Sequence, residues 1–98
     1  MDLFIASMSD RPDLLMVSSS ADAYKSCELM QRGHRLTVEP VAIFCGAGDC
    51  DHVVHQALER WKVFGGWYEV TLEAACDVIC RALEESSHRE MRSSAVLL

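Results

Sequence analysis

Two short apolar runs, Leu3-Phe4-Ile5-Ala6 and Leu14-Leu15-Met16-Val17, flank the spacer Ser9-Asp10-Arg11-Pro12-Asp13. Each run has the length of a buried strand, and the spacer is rich in residues that turn the chain. The pair predicts a β-hairpin, so the chain opens on a sheet and its later elements must pack against it.

Ser18-Ser19-Ser20 ends the second strand and offers helix N-caps. From Ala21 to Arg32, the residues Ala23, Cys27 and Met30 recur at helical spacing with Tyr24 beside them, and Gly33 stops the helix. Leu36 to Cys45 is the longest strand candidate, with Leu36, Val38, Ala42 and Phe44 on one face and Thr37, Glu39, Val41 and Ile43 on the other. Pro40 calls for an edge position or a bulge.

Asp49 is a good N-cap for a helix over 49–62, whose apolar stripe is Val53, Val54, Ala57, Leu58 and Trp61. Gly65-Gly66 ends that helix, and Trp67-Tyr68-Glu69-Val70 is a short strand. Thr71 caps a last helix over 72–85, which buries Leu72, Ala75, Cys76, Ile79 and Leu83. The order ββαβα(β)α predicts an α+β domain over residues 1–85, a small three-stranded, mainly antiparallel sheet flanked by helices. Residues 86–98 read as a frayed tail.

Composition narrows the function. Half of the 98 residues are hydrophobic and 24% charged, the balance of a folded domain. No apolar run approaches the roughly 20 residues of a membrane helix. The first residues lack a signal-peptide pattern. Five cysteines, an odd number scattered through apolar pattern, suit reduced thiols. These features lead to the expectation of a cytoplasmic protein, or a nuclear one in a eukaryotic host, with no membrane partner. The net charge of −6 is the opposite of what a nonspecific nucleic-acid binder carries. Nucleic acid would need a local patch, and the acidic surface suits a basic protein equally well.

The densest set of chemically useful side chains is Asp49, Cys50, Asp51, His52, His55 and Glu59. On a helix Asp51, His55 and Glu59 fall on one side, opposite Val54 and Leu58. One carboxylate with water and phosphate oxygens commonly holds Mg²⁺, and a neighbouring histidine can move a proton. The plain alternative is a solvated helix face. Cys45, Cys50, His52 and His55 number four zinc-type ligands, but their spacing is not that of two separated pairs. Cys76 and Cys80 read as core residues. The basic residues Arg32, His34 and Arg35, with Lys25, Arg60 and Lys62, are candidates for a phosphate-binding groove. Trp61, Trp67 and Tyr68 are candidates for base stacking or for ordinary core packing.

The segment Asp51-His52-Val53-Val54-His55-Gln56-Ala57-Leu58, then Lys62 and Gly65-Gly66-Trp67-Tyr68-Glu69-Val70, resembles the GIY-YIG superfamily. The likeness is to its small branch found in phages and viruses and described as DNA-binding. In that branch a helix carries an acidic residue followed by Leu-His, and the chain runs through a basic stretch to Gly-Glu-Trp-Phe. The resemblance spans roughly residues 2–83. It implies, for active members, a tyrosine on each of the first two strands, an arginine on the first helix and a metal-holding glutamate on the next.

This chain departs from that set. Phe4 stands at the first tyrosine, Leu15-Met16-Val17-Ser18 replaces the second, Lys25 is the nearest match to the arginine, Asp51 shortens the glutamate, and Gly66 replaces the glutamate of Gly-Glu-Trp-Phe. Neither Phe4 nor Val17 has a proton to exchange, and losing general acid–base help costs on the order of 10²–10⁴ in rate. Lysine keeps the charge but not the bidentate fork.

The resemblance therefore implies a domain that binds nucleic acid or a nucleic-acid-handling protein with degraded catalysis and no required cofactor. Two alternatives stand beside it. One is a divergent endonuclease using Asp51 to hold Mg²⁺, with His55 and Lys25 in support. The other is a phage or viral inhibitor of a host defence protein that handles nucleic acid.

Overall fold

A computed structural model describes residues 1–9, 11–32, 37–85 and 95–97. The opening hairpin is present: β1 (Asp2–Met8) pairs antiparallel with β2 (Arg11–Ser20), Ile5 opposite Val17. A two-stranded ribbon is marginal in water, and here further strands extend it on both sides. On one side β1 pairs with β3 (Val38–Phe44). On the other, β2 pairs with β5 (Trp67–Glu69), which pairs with β4 (Lys62–Phe64). A strand β6 (Ala95–Leu97) pairs with β3. The sheet order is β4-β5-β2-β1-β3-β6, with every pairing antiparallel. The α+β class and the antiparallel sheet flanked by helices hold, with six strands among the described residues where three are expected. Ala95–Leu97 fall within the stretch read as a frayed tail.

The helices are α1 (Ala23–Gln31), α2 (Asp51–Ala57) and α3 (Leu72–Glu85). The cap of α1 is Asp22 rather than a serine of 18–20, its carboxylate accepting from the Lys25 amide at 3.1 Å. Thr71 caps α3 as expected, its hydroxyl accepting from the Ala74 amide at 3.2 Å. Asp49 does not cap α2. It lies in a 3-10 turn, Gly48–Cys50, and Cys50 takes the cap position without a side-chain capping hydrogen bond.

The helix expected over 49–62 is divided. It stops at Ala57, passes through a 3-10 turn at Glu59–Trp61 and becomes β4, so Gly65-Gly66 turns a β-hairpin instead of ending a helix. The apolar stripe fails for the same reason: Val54 and Leu58 are fully buried, whereas Ala57 is exposed. Gly33 and Leu36 lie outside the described residues.

Strand alternation sends neighbouring side chains to opposite faces, and each face has its own core. Leu3, Ile5, Leu15, Val17, Ala42, Phe44 and Tyr68 join Val54 and Leu58 with Ala75, Ile79 and Leu83 of α3. Phe4, Ala6, Met16 and Val38 join Ala23 and Cys27 of α1. The sheet thus lies between α1 and the α2–α3 pair. β3 does not keep the expected single apolar face. Val38 joins the α1 side while Ala42 and Phe44 join the other, because the β1–β3 register slips between Ile5 and Ala6, opposite Ala42 and Pro40. An extra residue in one strand reverses the side-chain alternation beyond it. Proline marks the bulge.

Candidate functional site

Asp51 opens α2 and His55 follows four residues later, so both side chains leave the helix on one side. Val54, on the adjoining side of the helix, and Leu58, at its C-cap, are buried against the sheet, which fixes the rotation of the helix. Asp51 and His55 are thereby held at the rim of the larger core, 42% and 28% exposed.

Tyr68 completes the site from β5. Its ring is 1% exposed and sits in the larger core, while its hydroxyl meets Nδ1 of His55 in a hydrogen bond. The two rings lie 5.7 Å apart between centroids. Burial, followed by the charges of Glu59 and Asp51, pushes the Tyr68 phenol above its ordinary range, so it keeps its proton. On the other side of the imidazole, Nε2 lies 2.8 Å from Asp51 Oδ1. That distance is close enough for an ion pair when the imidazole is protonated, and Oδ1 is buried and receives no aligned hydrogen bond among the described residues. Proximity, more than a directed bond, holds this pair. The carboxylate beside Nε2 favours a proton there, which leaves Nδ1 to accept from Tyr68 O–H. The result is a chain from buried phenol to imidazole to half-exposed carboxylate.

Gly66 closes the site from the hairpin turn. Its carbonyl accepts from the Val17 amide at 3.0 Å. A Cβ at Gly66 would stand 3.2 Å from the Val17 carbonyl oxygen and 3.9 Å from Cε1 of His55. A larger residue there would crowd both the strand and the imidazole.

The structure brings together Asp51, His55 and, through its charge on Tyr68, Glu59. It does not bring Lys25 to them. Lys25 is exposed on α1, which covers the other face of the sheet. Phe4 and Val17 are both buried, in the smaller and larger core respectively. Arg32 is exposed at the end of α1, and His34 and Arg35 lie outside the described residues. Arg60 and Lys62 are exposed on the opposite flank, with the Arg60 guanidinium 5.2 Å from the centre of the Trp61 ring. The basic candidates therefore divide between two layers of the fold.

Among the described residues no three His, Cys, Asp or Glu side chains converge as a metal cluster. Cys45 is exposed in the turn after β3, not in the strand, while Cys50 is buried and His52 exposed. Burial raises the thiols of Cys76 and Cys80, which opposes nucleophilic use.

Reading the residues singly misses Tyr68 as the partner of His55. The signal available was strand alternation: Tyr68 is the middle residue of a three-residue strand, with Trp67 and Glu69 pointing the other way. No family model, curated protein or solved structure matches the chain.

Proposed function

We propose that this is a GIY-YIG-like domain that works by binding nucleic acid, its hydrolytic machinery degraded. The observation that carries the reading is the burial of Phe4 and Val17, 1% and 2% exposed, where active members of the superfamily place tyrosines. Side chains committed to two apolar cores neither orient water nor reach a phosphate. Lys25, the nearest match to the arginine, is in the layer across the sheet from Asp51. The loss of acid–base help alone accounts for about 10²–10⁴ in rate.

Plasmid DNA and oligonucleotides mixed with a modest excess of protein and Mg²⁺ or Mn²⁺ are expected to be retained on filters but not cut. Cleavage that vanishes in Asp51→Ala overturns this reading. The partner is tested by charge reversal. Arg60→Glu with Lys62→Glu weakens nucleic-acid retention, whereas Asp49→Lys with Asp51→Lys weakens capture of a basic, nucleic-acid-handling protein. If only the second pair has an effect, the domain is an inhibitor or adaptor for such a protein.

The Asp51–His55–Tyr68 chain favours a second reading, a divergent endonuclease. The half-exposed carboxylate of Asp51 would be the single ligand for Mg²⁺ through its other oxygen, since Oδ1 is buried against Nε2 of His55. The ion would neutralise charge on a phosphate, and His55, held by Tyr68, would orient the carboxylate.

A further inference from the structure

The segment from Arg60 to Tyr68 contains two cations and no Asp or Glu, in a chain whose net charge is −6. The fold places this stretch at a sheet edge. Every residue of β4 is exposed. Val63 and Phe64 are 52% and 57% exposed, large apolar side chains that a folded protein ordinarily hides or uses. The Phe64 ring is stacked on Trp67, 6.4 Å between centroids and inclined by 29°. Trp67 is anchored below by packing against the smaller core, so the upper ring rests on a fixed support. Gly65, at φ +50°, turns the hairpin with open space around it. Lys62 is paired with Tyr68 and Arg60 lies over Trp61, both on the larger-core side, so the positive charge stands on the reverse face of the same edge hairpin, where a strand that wraps the edge would carry its phosphates.

We propose that the β4–β5 hairpin is a stacking site for single-stranded nucleic acid, with Phe64 on Trp67 receiving a base and Lys62 and Arg60 meeting the phosphates. The proposal rests on the nucleic-acid reading above and names the form of the ligand and the place it binds. Charge selects the single strand. A duplex presents rigid rows of phosphate to a surface that is acidic overall, whereas an unstacked strand can touch this small basic rim alone. Aromatic platforms accept any base, because every base has a π-face. The nearby acids are Glu59, whose field reaches Tyr68, and Glu69, which faces Arg11 at 3.8 Å. Both lie outside the hairpin turn.

The test uses the full chain and a fluorescein-labelled deoxyadenosine 12-mer, titrated by anisotropy at several salt concentrations. Two cations on a single strand give a log–log salt slope of about −1.4, and Lys62→Ala removes about 0.7 of it. Phe64→Ala leaves the slope unchanged and weakens binding roughly 5- to 150-fold, the usual range for one stacked base. An abasic 12-mer binds the wild-type protein with the same loss and does not distinguish wild type from Phe64→Ala. Phe64 is exposed, so its removal leaves the fold intact, which circular dichroism verifies.

If the wild-type protein binds the 12-mer and Phe64→Ala binds it equally well, the hairpin is not the site and the nucleic-acid reading survives. Duplex bound as tightly as the single strand also overturns the site. If no nucleic acid binds, the reading itself falls and the site with it. The same holds if Phe64 is instead required for adhesion to phosphatidylserine vesicles.

Discussion

The two faces of the sheet draw on the same strands and are put to different use. On the α2–α3 face the core is the larger, and a polar chain of Tyr68, His55 and Asp51 runs outward from it. On the α1 face the core is small and entirely apolar, with Trp67 at its margin and Phe64 stacked beyond. A polar chain that must hold one geometry needs rigid walls, and the face with two helices supplies them. An aromatic pair that must admit a flat ligand needs an uncovered edge, and the face with one short helix leaves it one. The side with more packing carries the directed polar contacts, and the side with less carries exposed aromatic surface.

The sharpest way to break this comparison lies on β2, where Leu15 and Met16 are adjacent but enter different cores, 1% and 7% exposed. Truncation to alanine in a core costs about 2–5 kcal/mol, more where neighbours cannot collapse into the cavity. Leu15→Ala, walled by α2 and α3, should fall in the upper half of that range. Met16→Ala should fall in the lower half, since methionine fills space loosely and the smaller core can relax. Urea unfolding of both variants decides it. An equal or larger loss for Met16 would mean that the smaller core is the more rigid one.

Next in size is an alkaline effect confined to the α1 face. Burial first, and the Glu39 charge second, push the Cys27 thiol up to about 11 from an ordinary 9.0. A folded-state pKa above the unfolded one means that the unfolded chain loses its proton first as pH rises. The stabilisation is therefore complete below about pH 9 and is lost between there and about pH 11, a change on the order of 2–3 kcal/mol. Cys27→Ala should flatten this part of the stability profile. The raised phenol of Tyr68 acts in the same direction and remains in that variant, so some alkaline loss persists. A profile unchanged by Cys27→Ala would show that the thiol is not the group being protected.

The sequence made some of these contrasts legible and hid others for identifiable reasons. The opening hairpin, α1, the cap at Thr71 and the buried stripe of α3 follow from local pattern, because each is decided by residues within one or two turns. The division of 49–62 was hidden because Trp61 continues the helical stripe of Val54 and Leu58, although it lies in a 3-10 turn that feeds β4. β4 itself is three exposed residues and has no buried alternation to reveal it. Pro40 signalled the bulge, but a bulge reverses the faces beyond it, and reading β3 at a strict period of two placed Val38 with Ala42. At the site, Asp51 and His55 came from helix spacing. Tyr68 is thirteen residues from His55 and meets it only through tertiary packing.

The contact between Tyr68 and His55 gives a smaller and more specific prediction. Tyr68→Phe removes one hydroxyl and leaves Nδ1 of His55 without its donor at a partly buried site. The cost should be about 1–2 kcal/mol, that of an unmade hydrogen bond. Stability alone would not separate this from loosened packing, so tautomer state is the better readout. Nitrogen NMR shifts at pH 8 should show His55 with its proton on Nε2 in the wild type and a mixture of tautomers in Tyr68→Phe. Asp51→Asn should also mix the tautomers, because it withdraws the charge beside Nε2. If Tyr68→Phe leaves the tautomer fixed, Asp51 alone orients the ring and the phenol serves only the core.

The smallest expected effects compare how the helices on the two faces begin. α1 has nine residues, a capping aspartate at Asp22, and neither an acidic residue in its first turn nor a basic one in its last. α3 has fourteen residues, a capping threonine and Glu73 in its first turn. Loss of a cap costs about 0.5–2 kcal/mol. A short helix with little complementary charge has less to fall back on, and Asp22 adds a negative charge to the positive end of the helix dipole. Asp22→Ala should therefore lie in the upper half of that range and Thr71→Ala in the lower. Amide exchange locates the damage: Asp22→Ala should speed exchange across α1 while leaving the amides of α2 and α3 protected. If exchange instead accelerates equally on both faces, the sheet transmits the loss from one core to the other, and the two faces open together as a single cooperative unit.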